Sequence, residues 1–362
     1  MFNDIYRGKS VLITGHTGFK GSWLSLWLKE LGADVVGYAL DPPSEPNHWN
    51  LLNLNMPSVI GDVRDRKKLL GVFETFRPEV VFHLAAQPLV IDSYIDPIGT
   101  YETNIIGTVN ILDACRHVSS ARAVIIITSD KCYENKEWVW GYRENDSMGG
   151  YDPYSCSKGC AELITTSYRN SFFNVDKFGK DHHTLLASVR AGNAIGGGDW
   201  AKDRLIPDIM RAVSSGDEVV IRNPHSTRPW QHVLDPLSGY LKLGQRLLEG
   251  NVNFAEGWNF GPNEKKSITV GEVVAIIHKN WPVFAYRAEK GAKSEEHEAN
   301  LLRLDCSKAT IKLKWKCLWD AEEAFLKTTE WYKGFYQKGK ITSSLQLSEY
   351  VKRLTQTSPE SK

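Results

Sequence analysis

The chain has 362 residues, with 44 Lys and Arg against 43 Asp and Glu and a net charge of +1. That balance excludes nucleic acid as the main partner, and no apolar run is long enough for a membrane-spanning helix or a signal-peptide core. The length allows one large or two ordinary domains with a full core. The six cysteines are scattered, with no disulfide framework, so a reducing cytoplasm is expected. Cys132, Cys156 and Cys160 raise the question of a metal site, but buried thiols usually only pack, and no metal is expected.

The first element is Ser10-Val11-Leu12-Ile13-Thr14, which reads as a short buried strand. Gly15-His16-Thr17-Gly18-Phe19-Lys20-Gly21 follows directly, and then Trp23, Leu24, Trp27, Leu28 and Leu31 recur at helical spacing. Strand, glycine-rich turn and helix together form a dinucleotide-binding motif. Gly15 permits the tight turn, Gly18 lets backbone approach a pyrophosphate, and Gly21 lets helix pack on strand. The helix start adds free N–H groups and the positive end of its dipole. His16 stands where a smaller residue would crowd the pyrophosphate less.

The second strand is Val35 to Tyr38, and Asp41 lies twenty residues after Gly21. An acid there suits the ribose 2′-hydroxyl of NAD, although a turn acid before Pro42-Pro43 would look the same. No Lys or Arg occurs between Lys29 and Arg64 to meet a 2′-phosphate, which favours NAD over NADP. Asp62 and Val63, just past Val59-Ile60, are candidates for the adenine end.

Further strands are expected at Val80 to Leu84, Ala123 to Thr128 and Thr184 to Val189, with helices at Lys67 to Phe76, Thr100 to His117 and Tyr154 to Phe172. The alternation predicts a Rossmann-type, doubly wound parallel sheet with ligands at the strand carboxyl ends. After Arg190 the pattern loosens. Residues 192–200 read as a loop, short strands are expected at 218–221, 230–233 and 284–288, and helices at 234–248 and 269–281. The expected division is a cofactor domain over 1–190, a smaller and partly interleaved α/β substrate lobe over 191–350, and a flexible polar tail over 351–362.

Tyr154 and Lys158, four residues apart, share a helix face. A phenol titrates near pH 10; an ammonium about 4 Å away, at an effective dielectric of about 20, is worth roughly 4 kcal/mol, or about three pKa units. That would bring Tyr154 near 7, where a general base works well. Tyr-x-x-x-Lys also arises by accident in long helices, so it gains meaning only beside Ser129, which ends the apolar run Val124 to Ile127.

Taken in order, Gly15-Gly18-Gly21, Leu84-Ala85-Ala86-Gln87, Asn104, Ser129, Tyr154 and Lys158 resemble the motifs of the extended short-chain dehydrogenase/reductases over roughly residues 8 to 335. Within that family, residues 37–43, 128–133, 190–193 and 227–233 resemble the nucleotide-sugar 4,6-dehydratases. The resemblance implies NAD as cofactor, contacted by residues 15–21, Asp41, Asp62, Val63, Leu84 to Gln87, Asn104, Tyr154 and Lys158. It implies a closed redox cycle. Tyr154 takes the C4 hydroxyl proton as the C4 hydride leaves, Ser129 hydrogen-bonds the sugar oxygen, Asp130 protonates the departing C6 hydroxyl, and the hydride returns to C6. The product class feeds deoxysugars of surface polysaccharide.

One position departs from the pattern: Lys131 stands where related enzymes carry the Glu that removes the C5 proton. A lysine can do this only when neutral, so its pKa must fall through desolvation or a nearby cation. The alternative is that Lys131 pairs with Asp130 or the enolate. For the nucleotide-sugar substrate, Arg228 suits the diphosphate through its planar fork, Asn193 matches a family position at the diphosphate, and Arg204 and Arg303 are further candidates. Ser93 and Tyr94 are expected near the sugar. In the family it resembles, the helices near 100–117 and 154–172 pair across a dimer contact, so the resemblance implies at least a homodimer, with a homotetramer also open. The rival readings are a 4-epimerase, for which Asp130-Lys131 has no use, a dehydratase of another nucleotide sugar, and a non-catalytic NAD-binding regulator, in which Tyr154 or Lys158 would be lost.

Overall fold

Seven strands form the central sheet: β1 (Ser10–Thr14), β2 (Asp34–Ala39), β3 (Ser58–Ile60), β4 (Val80–His83), β5 (Ala123–Ile127), β6 (Leu185–Ala191) and β7 (Gly257–Phe260). The computed structural model describes residues 1–202, 204–221, 224–262, 268–288 and 302–357. The strand order is β7-β6-β5-β4-β1-β2-β3, and every pairing is parallel. The order reverses between β1 and β4, which opens the crevice where such sheets take their ligands. Unbroken apolar runs such as Ala123–Ile127 form strands here because both sheet faces are covered.

The longer helices are α1 (Phe19–Glu30), α2 (Arg66–Phe76), α3 (Gly107–His117), α4 (Pro153–Ser171), α5 (Leu205–Ser215), α6 (Leu234–Leu248), α7 (Val270–Asn280), α8 (Ala321–Lys338) and α9 (Ser343–Thr357). Val11, Ile13, Phe82, Ile125 and Val189 pack against α1 and α6 on one face of the sheet. Leu12, Val36, Val81, Val124 and Ile126 pack against α2 and α3 on the other.

Three features differ from the sequence expectation. The stretch 100–117 is not one α-helix: Pro97–Tyr101 leads into a π-helical turn, Glu102–Ile106, and only then into α3. Strand β7 joins the main sheet from far beyond residue 190; four residues carrying a central Asn259 give no apolar run to read. Residues 351–357, expected in a flexible tail, belong to α9. The helix forms because Leu347 and Tyr350 are buried on its inner face, with Tyr350 donating to Asp235 Oδ1 at 2.8 Å. Residues 358–362 lie outside the described residues.

Helix α9 is also fastened to the start of the chain. His48 Nε2 lies 2.8 Å from Ser343 Oγ, and His48 Nδ1 lies 2.8 Å from Ser22 Oγ in α1. Trp331 Nε1 donates to the same Ser343 hydroxyl at 2.8 Å. Burial pushes the His48 imidazole down to about 3, so the ring is neutral at the centre of this chain of bonds.

Candidate active site

The glycine turn is shaped for a close backbone approach. Gly15 has φ +75°, and a Cβ there would sit 2.8 Å from Ala85 N. A Cβ on Gly21 would sit 2.1 Å from Gly15 O, so only glycine lets α1 start this close to β1. Gly18 caps α1 with no side chain, leaving the first N–H groups of the helix facing the crevice. Thr17 Oγ1 donates to Leu40 O at 2.9 Å and ties the turn to the end of β2. The cradle therefore fits the pyrophosphate of a dinucleotide.

His16 turns away from that cradle. Its ring is fully buried, with Nε2 2.7 Å from Ser58 Oγ and an edge contact to Trp49 at 4.6 Å. A Cβ on Gly37 would lie 2.2 Å from the ring, so β2 carries a glycine there to admit the imidazole. Burial pushes His16 down to about 4. Asp41 is exposed just past β2. The Asp62 carboxylate is held low, chiefly by hydrogen bonds from Arg64, the shortest 2.7 Å. Val63 is buried and leaves no room for a Cβ on Gly107.

At the end of β4, Leu84 N donates to Thr14 O and Ala85 N donates to Thr14 Oγ1, at 3.1 and 3.2 Å. Ala86 leads into Gln87, whose side chain donates to Thr100 Oγ1 at 2.9 Å. Asn104 sits in the π-helical turn and spends its whole amide on the protein. Its Oδ1 accepts from Gln87 N at 2.9 Å, and its Nδ2 donates to Gln87 O at 3.0 Å and to Ser157 Oγ at 2.8 Å. It thus clamps the loop after β4 to α4, between Tyr154 and Lys158. A π turn at such a position re-aims one side chain without breaking the helix.

Ser129 caps a short 3-10 turn, Asp130–Cys132, that follows β5. Its hydroxyl donates to Asp130 Oδ1 at 2.9 Å and accepts from Lys131 N at 3.3 Å. Asp130 is buried, and burial raises its carboxyl pKa against the pull of Lys131, Ser129 and Lys20. A Cβ on Gly192 would lie 2.9 Å from Asp130 Oδ2, so that glycine keeps the carboxyl uncovered.

Helix α4 begins at Pro153, with Asp152 accepting from Ser155 N at 2.9 Å and Ser155 Oγ at 2.6 Å. This start points Tyr154 and Lys158 at the turn. The sequence expectation that Lys158 draws Tyr154 toward neutrality is corrected here. Burial pushes Tyr154 up to about 12, opposed by the Ser129 hydrogen bond and Arg204, and pushes Lys158 down to about 8. The Lys158 ammonium is 6.0 Å from the centre of the tyrosine ring, and desolvation of both groups outweighs an attraction across that gap.

Lys20 is a group that sequence reasoning placed only in the cofactor turn. Its ammonium is pushed down to about 8 by burial and by Arg204, while Asp130 and Asp199 pull the other way. It also repels the Lys158 ammonium, so its charge belongs to the centre of the site. A lysine between the last two glycines of a dinucleotide turn was the available signal.

The substrate candidates divide. Arg204 is partly exposed and pairs with Asp199 at 3.1 Å. Asn193 is half-buried, and its carbonyl accepts from Gln231 N at 3.1 Å. The side chain of Arg228 lies outside the described residues, and its backbone pairs with Ile268. Ser93, expected at the sugar, is fully buried and donates to Val90 O at 2.6 Å, so its hydroxyl closes a helical turn. Arg303 lines a cavity of about 540 Å³ together with Gly192, Trp230, Asp305, Cys306 and Ile311. Through Gly192 this cavity adjoins Asp130. Nothing in the local sequence announces its wall, which is gathered from distant stretches.

Among the described residues, no cluster of three or more His, Cys, Asp or Glu side chains is placed to hold a metal, and no helix is long and apolar enough to cross a membrane. The family described as GDP-mannose 4,6 dehydratase matches residues 12–328. A CDP-glucose 4,6-dehydratase of Salmonella typhimurium is 52% identical over 356 residues, 97% of this chain and 99% of that protein. Among solved structures, an epimerase of Methanothermobacter thermautotrophicus superposes with a TM-score of 0.80 at 23% identity, over 93% of this chain and 96% of that one. A dTDP-glucose 4,6-dehydratase of Bacillus anthracis in complex with NAD superposes with a TM-score of 0.72 at 20% identity, over 91% and 98%. The chain belongs to the GDP-mannose 4,6 dehydratase family of extended short-chain dehydrogenase/reductases.

Proposed function

We propose that the chain is a CDP-glucose 4,6-dehydratase that uses NAD and releases CDP-4-dehydro-6-deoxy-D-glucose, a precursor of surface-polysaccharide deoxysugars. The observation that carries the reading is Asp130. A buried carboxyl, raised in pKa and open to a cavity through Gly192, is suited to protonating a leaving hydroxyl. An epimerase has no use for such an acid. The 52% identity to a CDP-glucose enzyme over nearly the whole chain supports the choice of nucleotide.

NAD bound in the glycine cradle would accept the hydride from C4 and return it to C6. The chain's own groups handle the protons. Tyr154 takes the C4 hydroxyl proton, and Ser129, already bonded to Asp130, orients the sugar oxygen. Ser129 and Arg204 act against the burial that keeps Tyr154 protonated, and the positive charge of bound NAD would act in the same sense, so that the phenolate can serve as the base. Asp130 protonates the departing C6 hydroxyl. Lys131 is half-buried beside Asp130 and either accepts the C5 proton or balances the enolate. Arg303, Arg204, Arg228 and Asn193 take the diphosphate. Residues 1–190 carry cofactor and chemistry, and residues 191–350 carry most of the recognition.

We assign the enzyme to the cytoplasm, on the ground that all six cysteines are free thiols. We also assign it a homodimeric or homotetrameric state. Exposed Ile98 and Ile106 near α3, with Leu163 on α4, give the apolar face that such an assembly would cover.

The test is to incubate the protein with NAD and a panel of nucleotide sugars and to read the alkaline absorbance of a 4-keto product. CDP-glucose should turn over without net NADH. Stoichiometric NADH release would make the protein a simple dehydrogenase.

A further inference from the structure

Thr128 and Tyr133 stand immediately before and after the turn Ser129 to Cys132, and neither carries chemistry of its own. Both end on the same buried ion pair. Arg190 Nη2 donates to Glu162 Oε2 at 2.8 Å, with side chains 5% and 2% exposed. Thr128 Oγ1 donates to Glu162 Oε1 at 2.5 Å, and Ser188 Oγ donates to Glu162 Oε2 at 2.7 Å. On the other side, Arg190 Nη1 donates to Tyr133 Oη at 2.6 Å and to Glu144 O at 2.9 Å. Glu162 therefore fixes the entry to the turn and Arg190 fixes its exit.

The same pair reaches the helix and the cavity wall. Glu162 lies on α4, one helical turn beyond Lys158 and two beyond Tyr154, so its carboxylate anchors the face that carries both. Tyr133 Oη in turn donates to Asn259 Oδ1 at 2.7 Å. Asn259 Nδ2 then donates to Tyr142 O at 2.8 Å and Asp305 O at 3.2 Å, and Asp305 lines the cavity. The guanidinium holds the Glu162 carboxylate below its usual range despite full burial, so the pair stays ionised.

A buried ion pair is weak evidence for stability, because desolvating two charges offsets most of their attraction. Its geometric yield here is large: one pair sets where Ser129, Asp130 and Lys131 lie relative to Tyr154 and Lys158. We propose that Glu162 and Arg190, acting through Thr128 and Tyr133, are positioning residues that register the proton-transfer turn against the Tyr154–Lys158 helix. Neither touches substrate. The inference rests on the dehydratase reading, in which the turn serves elimination and the helix serves the first hydride transfer.

Removing Glu162 or Arg190 would strand a buried charge and endanger folding. The informative variants are Tyr133→Phe and Thr128→Val, each of which cuts one bracket and leaves the pair intact. In full-length enzyme with NAD and CDP-glucose, each should lower kcat by about tenfold or more with KM within about twofold. Rapid mixing should show a transient NADH band absent from the wild type, because elimination slows more than hydride transfer. Solvent-deuterium exchange at C5 should fall with kcat. Arg190→Lys should lower kcat in the same way, since one ammonium cannot span Glu162 and Tyr133 as the planar fork does. Undiminished kcat in both variants, or equal loss of the NADH signal and of turnover in step with a lower Tm, would reduce the network to plain scaffolding. A wild type that fails to convert CDP-glucose would instead sink the dehydratase reading itself.

Discussion

The glycine turn and the cavity wall place functional groups in opposite ways. From Gly15 to Gly21, seven consecutive residues make the cradle, and steric distances of 2.1 to 2.8 Å forbid a side chain at two of them. The wall near Asp130 collects Gly141, Gly192, Trp230, Gly261, Arg303 and Ile311 from five separate stretches. In the turn, proximity along the chain is proximity in space, and Gly15 and Gly21 leave no room for a side chain. In the wall, groups far apart in the chain meet only after the sheet has formed. On the proposed reading, the turn serves the cofactor and the wall serves recognition of the nucleotide sugar.

If that contrast is right, substitutions near the sheet should strike kcat and substitutions in the wall should strike KM. The largest effect belongs to Tyr154→Phe: turnover down roughly 10²–10⁴-fold with little change in substrate KM. An unchanged rate would leave Tyr154 as an ordinary helix-face tyrosine. Asp130→Asn and Lys131→Met should stall one step later, with NADH and an uneliminated 4-keto hexose accumulating on the enzyme. Normal solvent-deuterium wash-in at C5 for Lys131→Met would remove Lys131 as the base and leave it an electrostatic partner. Arg303→Ala should raise the KM for CDP-glucose by about tenfold, about 1.4 kcal/mol, at nearly constant kcat. A kcat loss there instead would blur the division.

The smallest effect lies away from both regions. Asp235 is fully buried, and its carboxyl is pushed up to about 7, chiefly by desolvation. A carboxyl raised above its unfolded value near 3.9 stabilises the fold below that value, and the contribution is lost as pH rises through the folded value. Wild-type Tm should therefore fall between about pH 4 and 7 relative to Asp235→Asn, by at most on the order of 4 kcal/mol in stability. Parallel Tm profiles for the two proteins would rule this out.

What the sequence revealed follows the same contrast. Strands β1, β2, β4, β5 and β6 were legible because each is a short apolar run between turn signals. The glycine turn and the Tyr154–Lys158 spacing were legible because their chemistry is local. Strand β7 was not, since Asn259 interrupts it for the sake of a hydrogen-bond network with remote partners. The acidity of Tyr154 was misjudged for a related reason: spacing gives the neighbouring ammonium but not the burial of both groups. Ser93 offered a hydroxyl at a plausible place, and only the structure reveals that Val90 already holds it.

The bond from Ser343 through His48 to Ser22 has a consequence for the order of synthesis. Helix α1 is translated well before Ser343, yet His48, which bonds to its Ser22, gains its second partner only when residue 343 has followed some three hundred residues later. Trp27 likewise waits for Tyr350, whose ring it meets at 5.6 Å. The cofactor cradle is thus begun early and locked late. A chain that stops short of α9 leaves apolar surface of α1 uncovered, which is the kind of surface that chaperones and proteases act on. Translation of α9 thus covers a face that α1 exposes from early in synthesis.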